Sequence, residues 1–252
     1  MKQGDFVWYE LATTELDAAQ RFYEHATAAW SIVPMDMPGM DYRIANVGGR
    51  GVGGLMPILP EMQGQSPSWR GYINVNDVDA MAVRVKGAGG AVHYGPDDIP
   101  EVGRFAVCAD PQGAMFMIFK GSGEPPADLS PETPGAVGWH ELYTSDWQAG
   151  WSFYSGLFGW EKAIAVDMGG GGTYQTFNIN GVHAGGMMNL PGEPPAWLFY
   201  ITVDDIKAAA KRITDSGAII LNGPMEVPGG SWIVQARDPQ GAAFAISGPN
   251  KG

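Results

Sequence analysis

Cysteine is nearly missing from this chain: Cys108 is the only one in 252 residues. No intrachain disulfide can form and no cysteine cluster can hold zinc, which fits a reducing cytoplasm. Basic charge is also scarce, with 15 Lys+Arg against 27 Asp+Glu and a net charge of -12. Such a surface repels phosphate backbones and anionic lipid headgroups, so nucleic acid and membranes are poor partners. No apolar run approaches the ~18 residues that span a bilayer. Met1 to Phe6 holds no basic region leading into an apolar segment, and the expectation is a soluble, unprocessed cytoplasmic protein. Charged residues make up only 17%, while Gly reaches 37 and Pro 19. That balance disfavours helix bundles and coiled coils and favours many short elements and turns.

What the chain does have is a repeat. Trp8-Tyr9-Glu10-Leu11, with Thr13, Ala18 and Phe22-Tyr23, returns 131 residues later as Trp139-His140-Glu141-Leu142, with Thr144, Ala149 and Phe153-Tyr154. Trp69, Tyr72, Val75 and Asp77 return 128 residues later as Trp197, Tyr200, Val203 and Asp205. Gly95-Pro96 and Asp110-Pro111-Gln112-Gly113 return at that same shift as Gly223-Pro224 and Asp238-Pro239-Gln240-Gly241. Residues 121–136 hold four prolines and no apolar period, so they read as a linker between a first domain, 1–120, and a second, 137–252.

A weaker echo runs inside each copy, where Leu16-Asp17-Ala18 and Val78-Asp79-Ala80 both follow a strand-like run. Phe6 to Ala12 alternates as a strand, and Asp17 to His25 carries apolar residues at helical spacing with Thr14 or Asp17 as N-cap. Tyr42 to Val47 and Val52 to Leu59 follow as strands. The order then recurs: strand Trp69 to Val75, helix Val78 to Val85 ended by Gly87, and strands Phe105 to Ala109 and Ala114 to Phe119 across the Asp-Pro-Gln-Gly turn. The expected class is α+β, with four βαβββ units, two per copy.

Two βαβββ units per domain, a helix carrying Phe-Tyr and then Leu157-Phe158-Gly159-Trp160, and a last hairpin on Asp-Pro-x-Gly resemble the vicinal oxygen chelate superfamily of glyoxalases, bleomycin-resistance proteins and extradiol dioxygenases. Trp-x-Glu-Leu and the run Ile99 to Ala106 are similar to its tandem actinobacterial members, the mycobacterial glyoxalase-like antigen type. The resemblance implies that each copy forms an open, cup-shaped mixed sheet with helices outside. It also implies that metal-dependent members hold iron, zinc, nickel or manganese on first and last strands through His, Glu or Gln.

Carried onto this chain, the ligand positions fall on Trp8 and Trp139, near Arg70 and Leu198, and on Met117 and Ala245. Val47 to Leu59 contains no His, Asp or Glu, and the second copy offers only His183 there. The expectation is therefore no cofactor and no standard metal site, with His183 or His140 as an alternative ligand. Strand parity puts Phe6, Trp8 and Glu10 toward the cup, and Val7, Tyr9 and Leu11 beneath the helix. By the same parity His140 lies with Leu142 on the helix side, as a hydrogen-bonded semi-buried histidine.

Glu10 and Glu141 are the candidate acid/base groups, because a carboxylate in an aromatic cup is either tuned for proton transfer and ligand binding or ties its strand to a neighbour. Tyr42, Tyr72, Tyr174, Tyr200, Arg70, Arg104 and Trp232 complete the candidate ligand contacts, with Trp8 and Trp139 either lining or filling the cups. Neither Gly169 to Gly172 nor Gly48 to Gly54 leads into a helix, so these are hairpin loops and not phosphate cradles. Met35, Met37, Met40, Met56, Met187 and Met188 near those loops suit an adaptable apolar mouth or core filling.

The reading is a protein that binds a small aromatic or apolar ligand, as monomer or homodimer. The alternative is a divalent-metal lyase, isomerase or dioxygenase with a non-standard site.

Overall fold

The computed structural model describes residues 1–37, 39–62, 64–123 and 129–252. Residues 124–128 of the expected linker lie outside that set. The first copy runs β1 (Phe6–Thr13), α1 (Leu16–Thr27), β2 (Ser31–Met35), β3 (Tyr42–Val47), β4 (Arg50–Pro57), then β5 (Ser68–Asn74), α2 (Val78–Gly87), β6 (Ala91–Ile99), β7 (Gly103–Ala109), β8 (Met115–Gly121). The second runs β9 (Val137–Thr144), α3 (Trp147–Phe158), β10 (Glu161–Asp167), β11 (Thr173–Ile179), β12 (Val182–Asn189), then β13 (Ala196–Thr202), α4 (Ile206–Asp215), β14 (Ile219–Glu226), β15 (Trp232–Arg237), β16 (Ala243–Gly248). Each copy is thus βαβββ twice over.

The strands make two open mixed sheets of eight, ordered β2-β3-β4-β1-β5-β8-β7-β6 and β10-β11-β12-β9-β13-β16-β15-β14. First and last strands of a unit pair in parallel, as Glu10 opposite Gly54 and Glu141 opposite Gly186. The inner hairpins are antiparallel.

Three helices start on an aspartate whose side chain takes an early backbone amide: Asp77 from Ala80, Asp146 from Gln148 and Ala149, Asp205 from Lys207. Helix α1 is the exception and corrects the expectation of Thr14 or Asp17 as cap. Glu15 stands at that position without a side-chain bond, and Asp17 instead pairs with Arg43 on β3 at 2.6 Å.

The chain divides into two compact units that cut across the sequence copies: Met1–Val7, Arg70–Asp128 and His140–Trp197 in one, and Trp8–Trp69, Leu129–Trp139 and Leu198–Gly252 in the other. Each unit is stapled by one buried chain of hydrogen bonds built from the repeated motifs. In the second unit Trp69 Nε1 donates to the Tyr23 hydroxyl at 2.8 Å, and Tyr23 donates to Asp238 Oδ2 at 2.9 Å. In the first, Trp197 Nε1 donates to Tyr154 at 3.0 Å, and Tyr154 donates to Asp110 Oδ2 at 3.2 Å. The other carboxylate oxygen gathers the amides of its own turn, those of Gln112, Gly113 and Ala114 on Asp110 and of Gln240 and Ala242 on Asp238. The residues that make the repeat visible are therefore largely those that join one copy's helix to the other copy's last hairpin.

Candidate functional site

Strand alternation sends Trp8, Glu10 and Ala12 of β1 to the face turned away from α1, while Leu11 is wholly buried beneath the helix. On the outward face Trp8 Nε1 donates to the Tyr42 hydroxyl at 3.0 Å, and Tyr42 donates to Glu10 Oε2 at 2.9 Å. Burial, then the charge of Glu10, pushes the Tyr42 phenol well above its ordinary value, so it stays protonated and donates. Glycine makes this possible: Gly54 lies opposite Glu10 on β4, and a Cβ there would run into the Tyr42 hydroxyl. Gly51 gives similar clearance to the Trp8 ring, 3.3 Å from where its Cβ would stand. Ala12, Tyr42, Met56 and Met62 form a buried apolar cluster, and Trp8, Met35, Met37, Met40 and Ile44 pack on it while keeping some exposure.

The two staples show the same Trp-Tyr-carboxylate pattern. Both are sealed among rings and backbone amides on the helix side and hold the fold. The Trp8 instance is instead roofed by methionines, with its indole half-exposed.

In the second copy Gly186 lies opposite Glu141, and a Cβ there would run into Tyr174. Glu141 accepts a hydrogen bond from Tyr143, two residues along its own strand, at 2.7 Å. Glu10 and Glu141 are both buried. Trp139 is half-buried and falls in the other compact unit from Glu141.

On the second central strands, Arg70 and Tyr72 are buried on one face of β5, where Tyr72 lies opposite Met117 and edge-on to Phe119. Tyr200 lies opposite Ala245 and accepts a hydrogen bond from Gln235 Nε2 at 2.6 Å. Gln235 and Tyr143 are contacts that sequence reasoning missed. Gln235 is three residues past Trp232, on the opposite strand face, and only the register of β15 against β16 brings it over Ala245.

Three expectations are corrected. Arg104 shares a strand face with Ala106 and Cys108, both wholly buried. It turns to the helix side, where its guanidinium binds Asp79 of α2 at 2.7 Å and Asp98 at 3.0 Å. Those carboxylates hold it charged, and it does not enter a cup. Trp232, on the face of Val234 and Ala236, turns the same way. Phe6, expected beside Trp8 and Glu10, instead stacks on His140 at 4.2 Å and lies within 5.8 Å of Trp160 and 5.4 Å of Trp197. The aromatic surface available there outweighs strict alternation at the first residue of the strand.

His140 is a core residue, its Nδ1 bonding the Ala184 carbonyl at 2.7 Å. Burial pulls its pKa down to about 4, so the imidazole is neutral near pH 7. Below about 6.5 the unfolded chain takes up a proton that the folded chain refuses until about 4. This contribution is intact above the unfolded pKa and is lost as pH falls through that window, amounting to about 3 kcal/mol. Urea denaturation at pH 7 and pH 4.5 should register the loss, and His140→Phe should flatten it. An equally steep slope in the variant would refute the assignment. His183 is exposed, at the β11–β12 hairpin end three residues before Gly186.

A divalent ion does not fit the donor set. Among the described residues no three His, Cys, Asp or Glu side chains converge. The strand positions carry Trp8, Trp139, Met117 and Ala245, and the glycines opposite Glu10 and Glu141 cannot bear a ligand while Tyr42 and Tyr174 lie over them. Likewise, among the described residues no helix is long and apolar enough to cross a membrane.

Known proteins bear on this geometry. The family model for the Glyoxalase/Bleomycin resistance protein/Dioxygenase superfamily matches residues 5–118 and 136–246. CFP32 of Mycobacterium bovis and Mycobacterium tuberculosis, which carries a provisional glyoxylase name, is 31% identical over 253 residues, covering 98% of this chain and 96% of that protein. The anthracycline biosynthesis protein DauV of Streptomyces is 29% identical over 260 residues, covering 96% and 92%. In structure the chain is similar to the 2,2',3-trihydroxybiphenyl 1,2-dioxygenase of Sphingomonas wittichii (TM-score 0.70, 14% identity, covering 98% and 91%). It is also similar to the Mn(II)-bound glyoxalase of Novosphingobium aromaticivorans (TM-score 0.68, 16% identity, covering 98% and 82%); at these identities the likeness is one of fold. The chain belongs to the glyoxalase/bleomycin resistance protein/dioxygenase superfamily.

Proposed function

We propose that this chain binds a small, planar, largely apolar organic molecule on the face of β1–β4 turned away from α1, without a divalent metal at the superfamily's usual position. The observation that carries this is the Trp8–Tyr42–Glu10 chain beneath a roof of methionines. The indole offers a stacking plane, the thioethers a deformable apolar wall, and the buried carboxylate a polar anchor that the phenol orients. A relative named for anthracycline biosynthesis favours an aromatic ligand. Binding alone suffices for sequestration; Glu10 as acid/base would add turnover.

The probe we would use is 1,4-dihydroxyanthraquinone, neutral, tricyclic and visibly coloured, titrated into the full chain. Saturable binding is expected, weakened about 10-fold or more by Trp8→Ala and unchanged by Arg104→Ala, which lies on the other face. Equal affinity in wild type and Trp8→Ala would refute the site. Elemental analysis of protein purified without chelator separates the alternative, a metal-dependent lyase, isomerase or dioxygenase. Stoichiometric iron, zinc, nickel or manganese would overturn the metal-independent reading. A cytoplasmic monomer or homodimer without nucleic-acid or membrane partners completes the proposal.

A further inference from the structure

Ala12 and Tyr143 hold matching places, each two residues after the glutamate of its copy. In the first copy Ala12 leaves room for Tyr42, Met56 and Met62 to meet, with Met37 and Met40 from the following loop packed over them. In the second, a tyrosine ring stands where Ala12 would be, and its hydroxyl is engaged by Glu141. Ile44 on β3 is matched by Thr176, buried and bonded to the Ile164 carbonyl at 2.9 Å. The methionine loop is matched by Met168, 49% exposed, and Gly169 to Gly172. Each face carries a tyrosine over its glycine, Tyr42 and Tyr174; the second carries a further ring, Tyr143, where the first has only Ala12 and methionines.

Building on the binding function proposed above, we infer that the chain takes one planar aromatic ligand, on β1–β4, and that Tyr143 is the specificity-determining residue that keeps the matching face of β9–β12 from taking the same molecule. Over an alanine only the flexible methionine side chains have to part to admit a flat ring, whereas at the matching place a tyrosine held by a carboxylate would itself have to be displaced.

The test is carbon-13 methyl spectroscopy of the methionine-labelled full chain, assigned by single Met→Leu changes, during titration with 1,4-dihydroxyanthraquinone. Wild type should bind one equivalent, shifting Met35, Met37 and Met40 and leaving Met168 and Met188 in place. Tyr143→Ala should raise the stoichiometry to two and move Met188, and Tyr143→Phe, which keeps the ring, should stay at one. Shifts at Met168 and Met188 in wild type would overturn the inference without any variant being needed. A well-dispersed Tyr143→Ala spectrum still showing one equivalent would do the same. Silence at every methionine would overturn the binding function itself, and this inference with it.

Discussion

Asp238→Ala is expected to destabilise the protein by about 3–5 kcal/mol, lowering the melting temperature by about 8–15 °C for a chain of this size. The aspartate is buried and accepts from the Tyr23 hydroxyl and from the amides of Gln240 and Ala242. Alanine strands all three donors where water cannot replace the carboxylate. Asp110→Ala should cost at least as much, since Asp110 gathers three amides as well as Tyr154. Tyr23→Phe removes one donor and leaves the amides satisfied, so about 1–2 kcal/mol is expected. Urea denaturation of the three variants and the Tyr23/Asp238 double variant measures both the costs and the coupling. A loss under 1 kcal/mol for Asp238→Ala would mean that the turn satisfies itself without the carboxylate.

The same staples show what the sequence could and could not disclose. Tyr23, Tyr154 and Asp-Pro-Gln-Gly are visible as repeated letters, because both compact units need the same staple. That each staple joins a helix of one copy to a hairpin of the other is not visible, since a repeat gives correspondence without partnership. Alternation places Trp8, Glu10 and Ala12 on their face, and it identifies His140 as a helix-side residue. It fails for Phe6, and for Arg104 and Trp232 it gives the helix side once Ala106, Cys108, Val234 and Ala236 are seen to pack inward. Strand β2 carries Pro34 and β6 carries Pro96, and such edge strands lack the apolar rhythm that announces a central one. Gln235 and Tyr143 escape a sequence reading because each acts through a cross-strand or same-strand neighbour that only the register reveals.

The superfamily's scaffold and this chain's chemistry therefore separate at one spot. The parallel pairing of first and last strands sets a carboxylate opposite a β4 or β12 residue, where two ligands could share an ion. Here that residue is glycine in both copies, and the vacated volume belongs to a tyrosine ring. A glycine there brings no donor, and each glutamate accepts from a phenol instead.

Gly54 is consequently the position at which the smallest substitution should have the largest effect on the site. In Gly54→Ala the added Cβ runs into the Tyr42 hydroxyl and ring, against a strand that is paired on both sides and cannot retreat. Tyr42 must swing out, which breaks its bonds to Trp8 and Glu10 and removes a donor from a buried carboxylate. Overpacking and the two lost hydrogen bonds together cost about 3–4 kcal/mol, and binding of the anthraquinone probe should fall about 10-fold or more as Trp8 and the methionines lose the ring beneath them. Adding Tyr42→Ala should relieve the clash, so that the double variant is more stable than the sum of the single losses by at least about 1 kcal/mol. Gly186→Ala with Tyr174→Ala supplies the same cycle in the second copy, where stability should respond and probe affinity should not. Strict additivity in the Gly54/Tyr42 cycle, or a Gly54→Ala protein within about 0.5 kcal/mol of wild type, would show that the ring does not depend on the missing side chain. The organisation of the site around that glycine would then have to be abandoned.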